Sequence, residues 1–314
     1  MSNSNKEKTN IELHESAKNF LNYLHTIKNR SDETISGYSS NLRIFFEFLK
    51  IKKKKAITNK LLKTITLDDL YNFLSYTEKE LGNSPATRAR KVACLKSYFH
   101  YLYKKAKLIP EDITEELDSP KIPKKKPISM NLDQCKQLLN SLDDWSAYYF
   151  RDKAILTIFL QCGLRLSELC NIKINDIKGT RMIVTGKGDK QRYAFLSESC
   201  IKVINEYLKE RKDDKASDED KQYLFLSDRQ QRIRKTTVQT LVKKHMKKAG
   251  LDTDLYHTHT TRHSYATMAY NQGMDVIKLS EALGHSNVNT SKVYVTINED
   301  ELQDYANNNP LNNL

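Results

Sequence analysis

Apolar residues in the first hundred positions recur at intervals of three and four, the spacing that places them on one face of an α-helix. The patterns cover residues 13–24, 35–49, 67–74 and 92–102. Ser31 and Asp32 precede the second pattern, and either side chain could cap the first turn of a helix. The fourth pattern follows Ser84 and Pro85. The sequence therefore predicts a four-helix unit in the N-terminal part of the chain.

Prolines divide the chain. Four of the six fall between residues 110 and 127. Proline removes a backbone donor and clashes with the preceding turn, so a helix cannot continue through this stretch. We therefore predict an extended, basic linker at 108–130, which separates an N-terminal domain, residues 1–107, from a larger C-terminal domain, residues 131–314.

The hydrophobic pattern changes within the C-terminal part. Residues 181–185 and 191–196 alternate as strands do, and the sequence GKGDK between them is a hairpin signal. The remaining patterns are helical and cover residues 132–142, 152–162, 200–211, 236–249, 261–272 and 275–283. The polar run at 212–222 is predicted to be a solvated loop. The chain is thus expected to be mainly α with a small β-sheet.

The charge of the chain indicates what kind of partner it binds. The 314 residues contain 52 Lys and Arg against 39 Asp and Glu, a formal net charge of +13. Such a surface suits nucleic acid most often, with an anionic membrane surface as the rival. Residues 50–63, 119–132 and 229–248 contain seven, four and eight basic residues and no acidic one. A single basic run is often only a solvated surface, but three runs favour a clamp around a polyanion.

Other classes of protein are excluded by composition. No stretch is long and apolar enough to span a membrane, and the polar first ten residues have no apolar signal core. The five cysteines form an odd number without CxxC spacing, and they are Cys94, Cys135, Cys162, Cys170 and Cys200. We therefore expect a cytoplasmic protein whose cysteines are reduced packing thiols.

Two segments contain residues that could carry chemistry. CGLRLSEL places Arg165 just after a glycine break, with Glu168 three residues later on the same helix face. In HTHTTRH, His259 and His263 have the spacing of a metal-binding pair. Thr260 stands where a zinc hydrolase needs its glutamate, and no third ligand has motif spacing. We therefore predict no metal site.

A larger set of cationic residues and one tyrosine indicates phosphate chemistry. In chain order the set is Arg165, Lys187, His259, Arg262, His285 and Tyr294. The planar fork of arginine binds two phosphate oxygens, and fixed donors stabilise the charge that develops in phosphoryl transfer. A tyrosine needs adjacent cations or a base to act as a nucleophile at neutral pH. No acidic cluster for Mg²⁺ accompanies the set, so the arginines would replace a metal.

Four motifs resemble the tyrosine recombinase (phage integrase) family, in particular its Xer-like members. GLRLSEL, GKGDKQR, HTTRHSYAT and LGHSNVNTSKVYV occur in the order of the family's blocks, with compatible gaps. The N-terminal helices and the linker also resemble the family, so nearly the whole chain takes part. The resemblance implies a SAM-like core-binding domain and an α+β catalytic domain of the DNA breaking-rejoining type. It also implies a C-shaped clamp whose linker crosses the duplex.

The resemblance implies a reaction as well as a fold. Tyr294 would attack the scissile phosphate, form a 3′-phosphotyrosyl bond and free a 5′-hydroxyl. Arg165 and Arg262 would hold the non-bridging oxygens, and Lys187 would protonate the leaving 5′-oxygen. The 5′-hydroxyl of a partner strand then reverses the step, so that strands are cut and rejoined at specific sites.

The remaining residues of the set would support this reaction. By the same resemblance, His259 would assist proton transfer near the tyrosine, and His285 would hydrogen-bond the phosphate. Glu168 would be a structural support, and His257 and His263 are interpreted as structural. Each step exchanges one phosphodiester for another, so no cofactor, ATP or metal is required.

The resemblance implies that the partner is double-stranded DNA at specific sites. The DNA would be bound by a homotetramer, or by a heterotetramer with a paralogue, and no membrane partner is expected. Residues 299–306 would pack on a neighbouring subunit. The candidates for DNA contacts are Lys52, Lys53, Lys54, Arg88, Arg90, Lys124, Lys125, Arg234 and Lys235. The helical unit begins near residue 11, so we expect no additional arm-binding domain, which favours a Xer-like or simple transposon- or integron-type enzyme. Chromosome dimer resolution, a step of chromosome segregation, and mobile-element integration both stay open.

Two positions depart from the family's pattern, and two other functions compete with recombination. Thr261 stands where members often carry leucine, and Thr296 where they often carry histidine. A type IB topoisomerase would use similar residues and would relax plasmids that lack a recombination site. A DNA-binding protein without catalysis, such as a repressor, would keep every activity when Tyr294 is replaced by phenylalanine.

Overall fold

The computed structural model of the chain describes residues 12–54, 56–123 and 127–284. The chain divides into two compact units, Met1–Lys124 and Lys125–Leu314. Described residues form thirteen α-helices and one three-stranded sheet, so the prediction of a mainly α fold with a small β-sheet is confirmed. In this part of the chain no helix is both long and apolar enough to cross a membrane.

Aromatic side chains form the centre of the N-terminal unit. Its helices are α1 (Glu15–Thr26), α2 (Asp32–Lys53), α3 (Asn59–Leu62), α4 (Leu67–Lys79) and α5 (Pro85–Lys104). Phe45 of α2 lies with its ring centroid 5.1 Å from that of Phe73 on α4 and 6.1 Å from that of Phe99 on α5. The four predicted helices are therefore present around one core, and the four-residue α3 is an addition that the periodicity did not reveal.

Polar residues fix the starts of these helices. At α4, the Thr66 hydroxyl accepts the Asp69 backbone N–H at 3.3 Å, and the Asp69 carboxylate accepts the Thr66 N–H at 3.2 Å. At α5, the Ser84 hydroxyl accepts the Thr87 N–H at 3.3 Å. Such caps satisfy donors that the first turn of a helix leaves without partners.

Residues after α5 remain attached to the N-terminal core. Ile109 and Leu117 are buried in it. Between them, the Asp112 carboxylate accepts from the Thr114 N–H and hydroxyl at 3.1 and 2.6 Å, which stabilises a turn. The first part of the predicted linker is therefore folded onto the N-terminal unit rather than extended. Residues 118–123 and 127–130 have neither helix nor strand.

The C-terminal unit packs eight helices and the sheet around α7, whose residues Ile155, Leu156, Ile158 and Phe159 are fully buried. The helices are α6 (Leu132–Asn140), α7 (Tyr149–Cys162), α8 (Leu166–Cys170), α9 (Glu198–Glu210), α10 (Asp218–Lys221), α11 (Lys235–Lys248), α12 (Thr258–Asn271) and α13 (Val276–Leu283). All six predicted helices are found within a few residues of their expected ends.

The sheet is antiparallel with strand order β1–β2–β3. Its strands are β1 (Ile177–Lys178), β2 (Arg181–Thr185) and β3 (Gln191–Phe195). The predicted hairpin of β2 and β3 is confirmed, with Ile183 opposite Tyr193. Two short elements were not predicted. They are β1, which has only two residues, and α10, which lies in the run expected to be a loop.

The five cysteines are all free and buried, as expected for reduced packing thiols. Burial raises the pKa of Cys135 and of Cys170 to about 11, so these thiols stay protonated at neutral pH.

Candidate active site

A glycine places the first arginine of the site. Helix α7 ends at Gly163, whose φ of +59° is a left-handed conformation. A Cβ at this position would lie 2.4 Å from Cδ1 of Tyr265, so only glycine fits. The chain turns here, and two residues later Arg165 forms the N-cap of α8. The side chain of Arg165 is 35% exposed.

A buried carboxylate holds this arginine. The side chain of Glu168 is 1% exposed. Its Oε1 accepts from Nη1 of Arg165 at 2.7 Å, and its Oε2 accepts the Arg165 backbone N–H at 2.8 Å. Burial raises the pKa of Glu168, but hydrogen bonds and charges from Arg192 and Arg165 outweigh burial, so the pKa is held below its usual value. Glu168 is therefore ionised and fixes both the start of α8 and the guanidinium of Arg165.

The second predicted arginine lies against the same carboxylate. Nη1 of Arg262, on α12, is 3.9 Å from Oε2 of Glu168, and its side chain is 7% exposed. Nη1 also donates to the Gly163 carbonyl at 2.8 Å, and Nη2 donates to the Leu283 carbonyl at 2.7 Å. Arg262 thus ties α12 to the ends of α7 and α13 and brings the two predicted arginines together around Glu168.

A third arginine belongs to this cluster and was missed by the sequence analysis. Nη2 of Arg192, on β3, donates to Oε2 of Glu168 at 3.0 Å, and its Nε donates to the Ala282 carbonyl at 2.9 Å. One signal could have revealed it. Arg192 shares its side of the strand with the buried Ala194, an inward position where a charge needs a partner.

His259 lies near these cations at the start of α12. Its side chain is exposed, yet local desolvation lowers the pKa of His259, and the positive charges of His257, Arg262 and Arg165 lower it further. A histidine with a lowered pKa is neutral at physiological pH and can accept a proton. The neighbouring His257 has a different task, since its backbone N–H donates to the Thr260 hydroxyl at 3.1 Å and so caps α12.

Thr261, one of the two departures from the family's pattern, is fully buried, and its hydroxyl donates to the Thr258 carbonyl at 2.8 Å. The polar group therefore has a partner and does not disturb α12.

The hairpin that carries Lys187 begins beside the cluster. Gly186 opens the turn, and a Cβ there would lie 3.6 Å from Oε1 of Glu168. The turn closes with the Gly186 N–H donating to the Lys190 carbonyl at 2.8 Å, while Gly188 takes a φ of +72°. The backbone just before Lys187 thus lies beside Glu168, whereas the side chain of Lys187 lies outside the described part of the structure.

Several predicted residues lie outside the described residues altogether. They are His285, Tyr294, Lys124 and Lys125, together with Thr296 and the segment 299–306. The described chain ends at Gly284, whose carbonyl accepts from Nη2 of Arg165 at 3.1 Å.

The predicted DNA contacts fall into two groups. Lys53 forms an ion pair with Asp69 at 2.7 Å, and Arg88 forms one with Glu78 at 2.5 Å. These two side chains have a structural task within the N-terminal unit. The exposed candidates are Lys52, Lys54, Arg90 and Arg234, and Lys235 beside Arg234 is partly buried. Contact with DNA stays a prediction for every one of them. Among the described residues, no cluster of three His, Cys, Asp or Glu side chains could hold a metal ion.

Two sequence families match this chain. Residues 129–301 match the Phage integrase family, and residues 17–106 match the Phage integrase N-terminal SAM-like domain. The two matches contain nearly all of the helices and strands described above.

Individual relatives match over almost the full length. Tyrosine recombinase XerC of Caldanaerobacter subterraneus subsp. tengcongensis is 45% identical over 306 residues, which cover 93% of this chain and 86% of the relative. Tyrosine recombinase XerA of Pyrococcus horikoshii is 33% identical over 305 residues and 95% of each chain. Tyrosine recombinase XerD of Listeria monocytogenes is 30% identical over 292 residues, 91% of this chain and 95% of the relative.

Solved structures share the fold at lower identity. The XerH site-specific recombinase bound to palindromic difH substrate has a TM-score of 0.72 at 24% identity, over 92% of this chain and 84% of that one. The Tn1549 transposon integrase in complex with transposon right end DNA has a TM-score of 0.73 at 20% identity, over 93% and 98%.

Proposed function

Because the chain belongs to the phage integrase family and is a Xer-like tyrosine recombinase, we propose that Tyr294 is its nucleophile and that the arginine cluster binds the scissile phosphate. Attack by the phenolic oxygen on phosphorus would form a 3′-phosphotyrosyl bond and release the 5′-oxygen of the next nucleotide. Attack by a 5′-hydroxyl from a second strand would then reverse the step. Each exchange keeps the number of phosphodiester bonds constant, so no external energy source enters.

One observation carries this proposal. Arg165 and Arg262 come from separate helices, and both approach the single buried carboxylate of Glu168, at 2.7 and 3.9 Å. Each terminal nitrogen of a guanidinium carries two hydrogens, so it can donate to a protein acceptor and to a phosphate oxygen at once. Donors held rigidly in this way stabilise charge on the equatorial oxygens of the transition state without reorganisation.

The proton transfers are assigned to three further residues. His259, neutral because its pKa is lowered, would accept the proton of Tyr294. Lys187, whose hairpin begins beside Glu168, would donate a proton to the leaving 5′-oxygen. His285, next in sequence to Gly284, would hydrogen-bond the phosphate. Glu168 makes no contact with DNA in this scheme and orients Arg165.

Domain roles follow from the family matches and the charge. We assign DNA binding outside the reaction centre to a core-binding domain at 1–107 and a basic linker at 108–130, with the catalytic domain at 131–314. The net charge of +13 and the exposed Lys52, Lys54, Arg90 and Arg234 support double-stranded DNA as the partner. We assign strand exchange between two sites to a tetramer on two duplexes. We place this assembly in the cytoplasm.

Covalent trapping tests the proposal. A nicked suicide duplex, chosen by selection for binding from a randomised library, loses a short fragment after cleavage and cannot be religated. Incubation in EDTA followed by a denaturing gel should show a protein–DNA band that is absent for Tyr294→Phe. Loss of Arg165 or Arg262, as alanine variants, should slow cleavage by about 10²–10³-fold. A band that survives in Tyr294→Phe would show that another residue is the nucleophile.

The two competing functions give different results in the same material. A topoisomerase would relax a supercoiled plasmid that lacks the selected site, whereas a recombinase should leave it supercoiled. A repressor would bind the selected duplex without forming any covalent band. The relatives that match over more than 90% of this chain are named as recombinases, so neither alternative is favoured.

A further inference from the structure

Three consecutive carbonyls end helix α13, and each accepts from a different arginine. Arg192 Nε donates to Ala282 at 2.9 Å, Arg262 Nη2 donates to Leu283 at 2.7 Å, and Arg165 Nη2 donates to Gly284 at 3.1 Å. The last carbonyls of a helix lack intrahelical partners and carry partial negative charge. The three guanidinium groups therefore hold the end of α13 at the point where the chain continues to His285.

The same three arginines share one carboxylate, unequally. Arg165 uses Oε1 of Glu168, whereas Arg192 uses Oε2 at 3.0 Å, closer than Arg262 at 3.9 Å. The side chain of Arg192 is only 13% exposed, compared with 35% for Arg165. Arg192 is therefore poorly placed to meet DNA, and it is well placed to neutralise Glu168.

We propose that Arg192 is a positioning residue of the reaction, which acts on the scissile phosphate only through Glu168 and the end of α13. The proposal rests on the function proposed above. With Arg192 in place, Oε2 of Glu168 has two donors, the Arg165 backbone N–H at 2.8 Å and Nη2 of Arg192 at 3.0 Å. Arg165 then gives the carboxylate only one guanidinium nitrogen, and its exposed part stays available. Without Arg192, the buried carboxylate would draw Arg165 and Arg262 towards itself and away from phosphate.

A close contact with Gly284 supports the proposal that Arg192 also acts through the end of α13. Gly284 ends α13 with a φ of +64°, and a Cβ there would lie 3.0 Å from Cδ of Arg192. The aliphatic stem of Arg192 thus packs on the last residue before His285, while its guanidinium binds the carbonyl two residues earlier. Arg192 therefore fixes the position of the last described residues of α13.

The test compares single-turnover cleavage of the selected nicked suicide duplex with the Kd for the same duplex. Arg192→Gln should cleave about 10–100-fold more slowly, part of the loss expected for a direct electrostatic donor. Its Kd should stay within about twofold, because Arg192 makes no DNA contact in the proposal and phosphate contacts dominate affinity. Arg181→Gln, at the opposite end of the same hairpin and exposed, is the matched control and should cleave at the wild-type rate.

A second substitution separates positioning from general support. In Arg192→Gln/Glu168→Gln the buried charge that competes for Arg165 is gone, while the amide oxygen of the substituted side chain can still accept from Arg165 and orient it. Cleavage should therefore recover about tenfold relative to Arg192→Gln. Arg192→Lys should recover only in part, because one ammonium cannot reproduce the guanidinium fork that reaches both Glu168 and Ala282. Thermal unfolding of each variant shows whether it is folded at the assay temperature, and Arg192→Lys serves if Arg192→Gln is not.

Each result decides the question. Three results would overturn the positioning role while leaving the proposed function intact. They are cleavage by Arg192→Gln at the wild-type rate, a loss of affinity for the duplex as large as the loss of rate, and no recovery of cleavage in the double variant. If the wild-type protein forms no covalent band that depends on Tyr294, the proposed function fails, and the role of Arg192 falls with it.

Discussion

Replacement of Gly163 by alanine tests the geometry that places the arginines. The residue has a φ of +59°, and a Cβ would lie 2.4, 2.9 and 3.0 Å from three ring atoms of Tyr265. The left-handed conformation costs a non-glycine residue about 1–2 kcal/mol. Overpacking against this partly buried ring adds about 1–3 kcal/mol. We therefore expect Gly163→Ala to lower the free energy of unfolding by about 2–5 kcal/mol.

A second glycine provides the control. Gly179 has the same φ of +59°, but no atom lies within 4 Å of its Cβ position. Gly179→Ala should therefore show only the conformational cost, about 1–2 kcal/mol. The difference between the two variants measures the contact with Tyr265 by itself.

Urea unfolding, followed by circular dichroism and extrapolated to water, gives both free energies. For a unit of about 190 residues, each kcal/mol corresponds to roughly 2–4 °C in Tm, so thermal melts should agree. Gly163→Ala should also cleave the suicide duplex more slowly while folded, because the Gly163 carbonyl accepts from Arg262 at 2.8 Å. Equal destabilisation by the two alanines would refute the argument from Tyr265.

Three further predictions concern the reaction and the N-terminal unit. The pKa of His259 is lowered from its ordinary value of 6.5, so His259 should act as a base at neutral pH, and the cleavage rate should fall only below pH 6.5. In a pH–rate profile, His259→Gln should lose this decrease at acidic pH. Lys187→Ala should slow cleavage by about 10²–10⁴-fold, and a duplex with sulfur in place of the leaving 5′-oxygen should restore the rate, because a thiolate leaves without a proton. Lys53→Gln should lower the free energy of unfolding by about 1–2 kcal/mol, because it leaves the Asp69 carboxylate, 9% exposed, without its ion-pair partner; exposed Lys52→Gln should not, and equal urea midpoints would contradict this.

Sequence periodicity was sufficient to predict features that depend on a single helix or hairpin. The helices and the hairpin follow from local patterns, and the pairing of Arg165 with Glu168 follows from their spacing of three on one helix face. Ile109 and Leu117 could not be placed in the N-terminal core in the same way. Proline-rich surroundings indicate that a helix stops, but not where the chain packs afterwards.

Arg192 shows the other limit. Its partners, Glu168 and Ala282, are 24 and 90 residues away in sequence, so no local pattern connects them. Only the approach of α13 to β3 reveals why a charged residue occupies an inward position on a short strand. The motifs therefore revealed only residues whose roles can be inferred from residue type and local spacing, and not a residue whose role depends on distant partners.

The central carboxylate explains how such a site can fold before DNA arrives. Three guanidinium groups gathered within a few ångströms would repel one another in a region where Glu168 is 1% exposed and screening by water is weak. One carboxylate offsets one of the three charges and leaves a net charge of two. In the proposed reaction, attack by the phenolic oxygen would add negative charge to the equatorial oxygens of the phosphate, so this remainder would match the transition state better than the singly charged phosphodiester of the substrate. On the proposed function, the cluster would therefore be more complementary to the transition state than to bound DNA, which is the condition for accelerating cleavage rather than tightening binding.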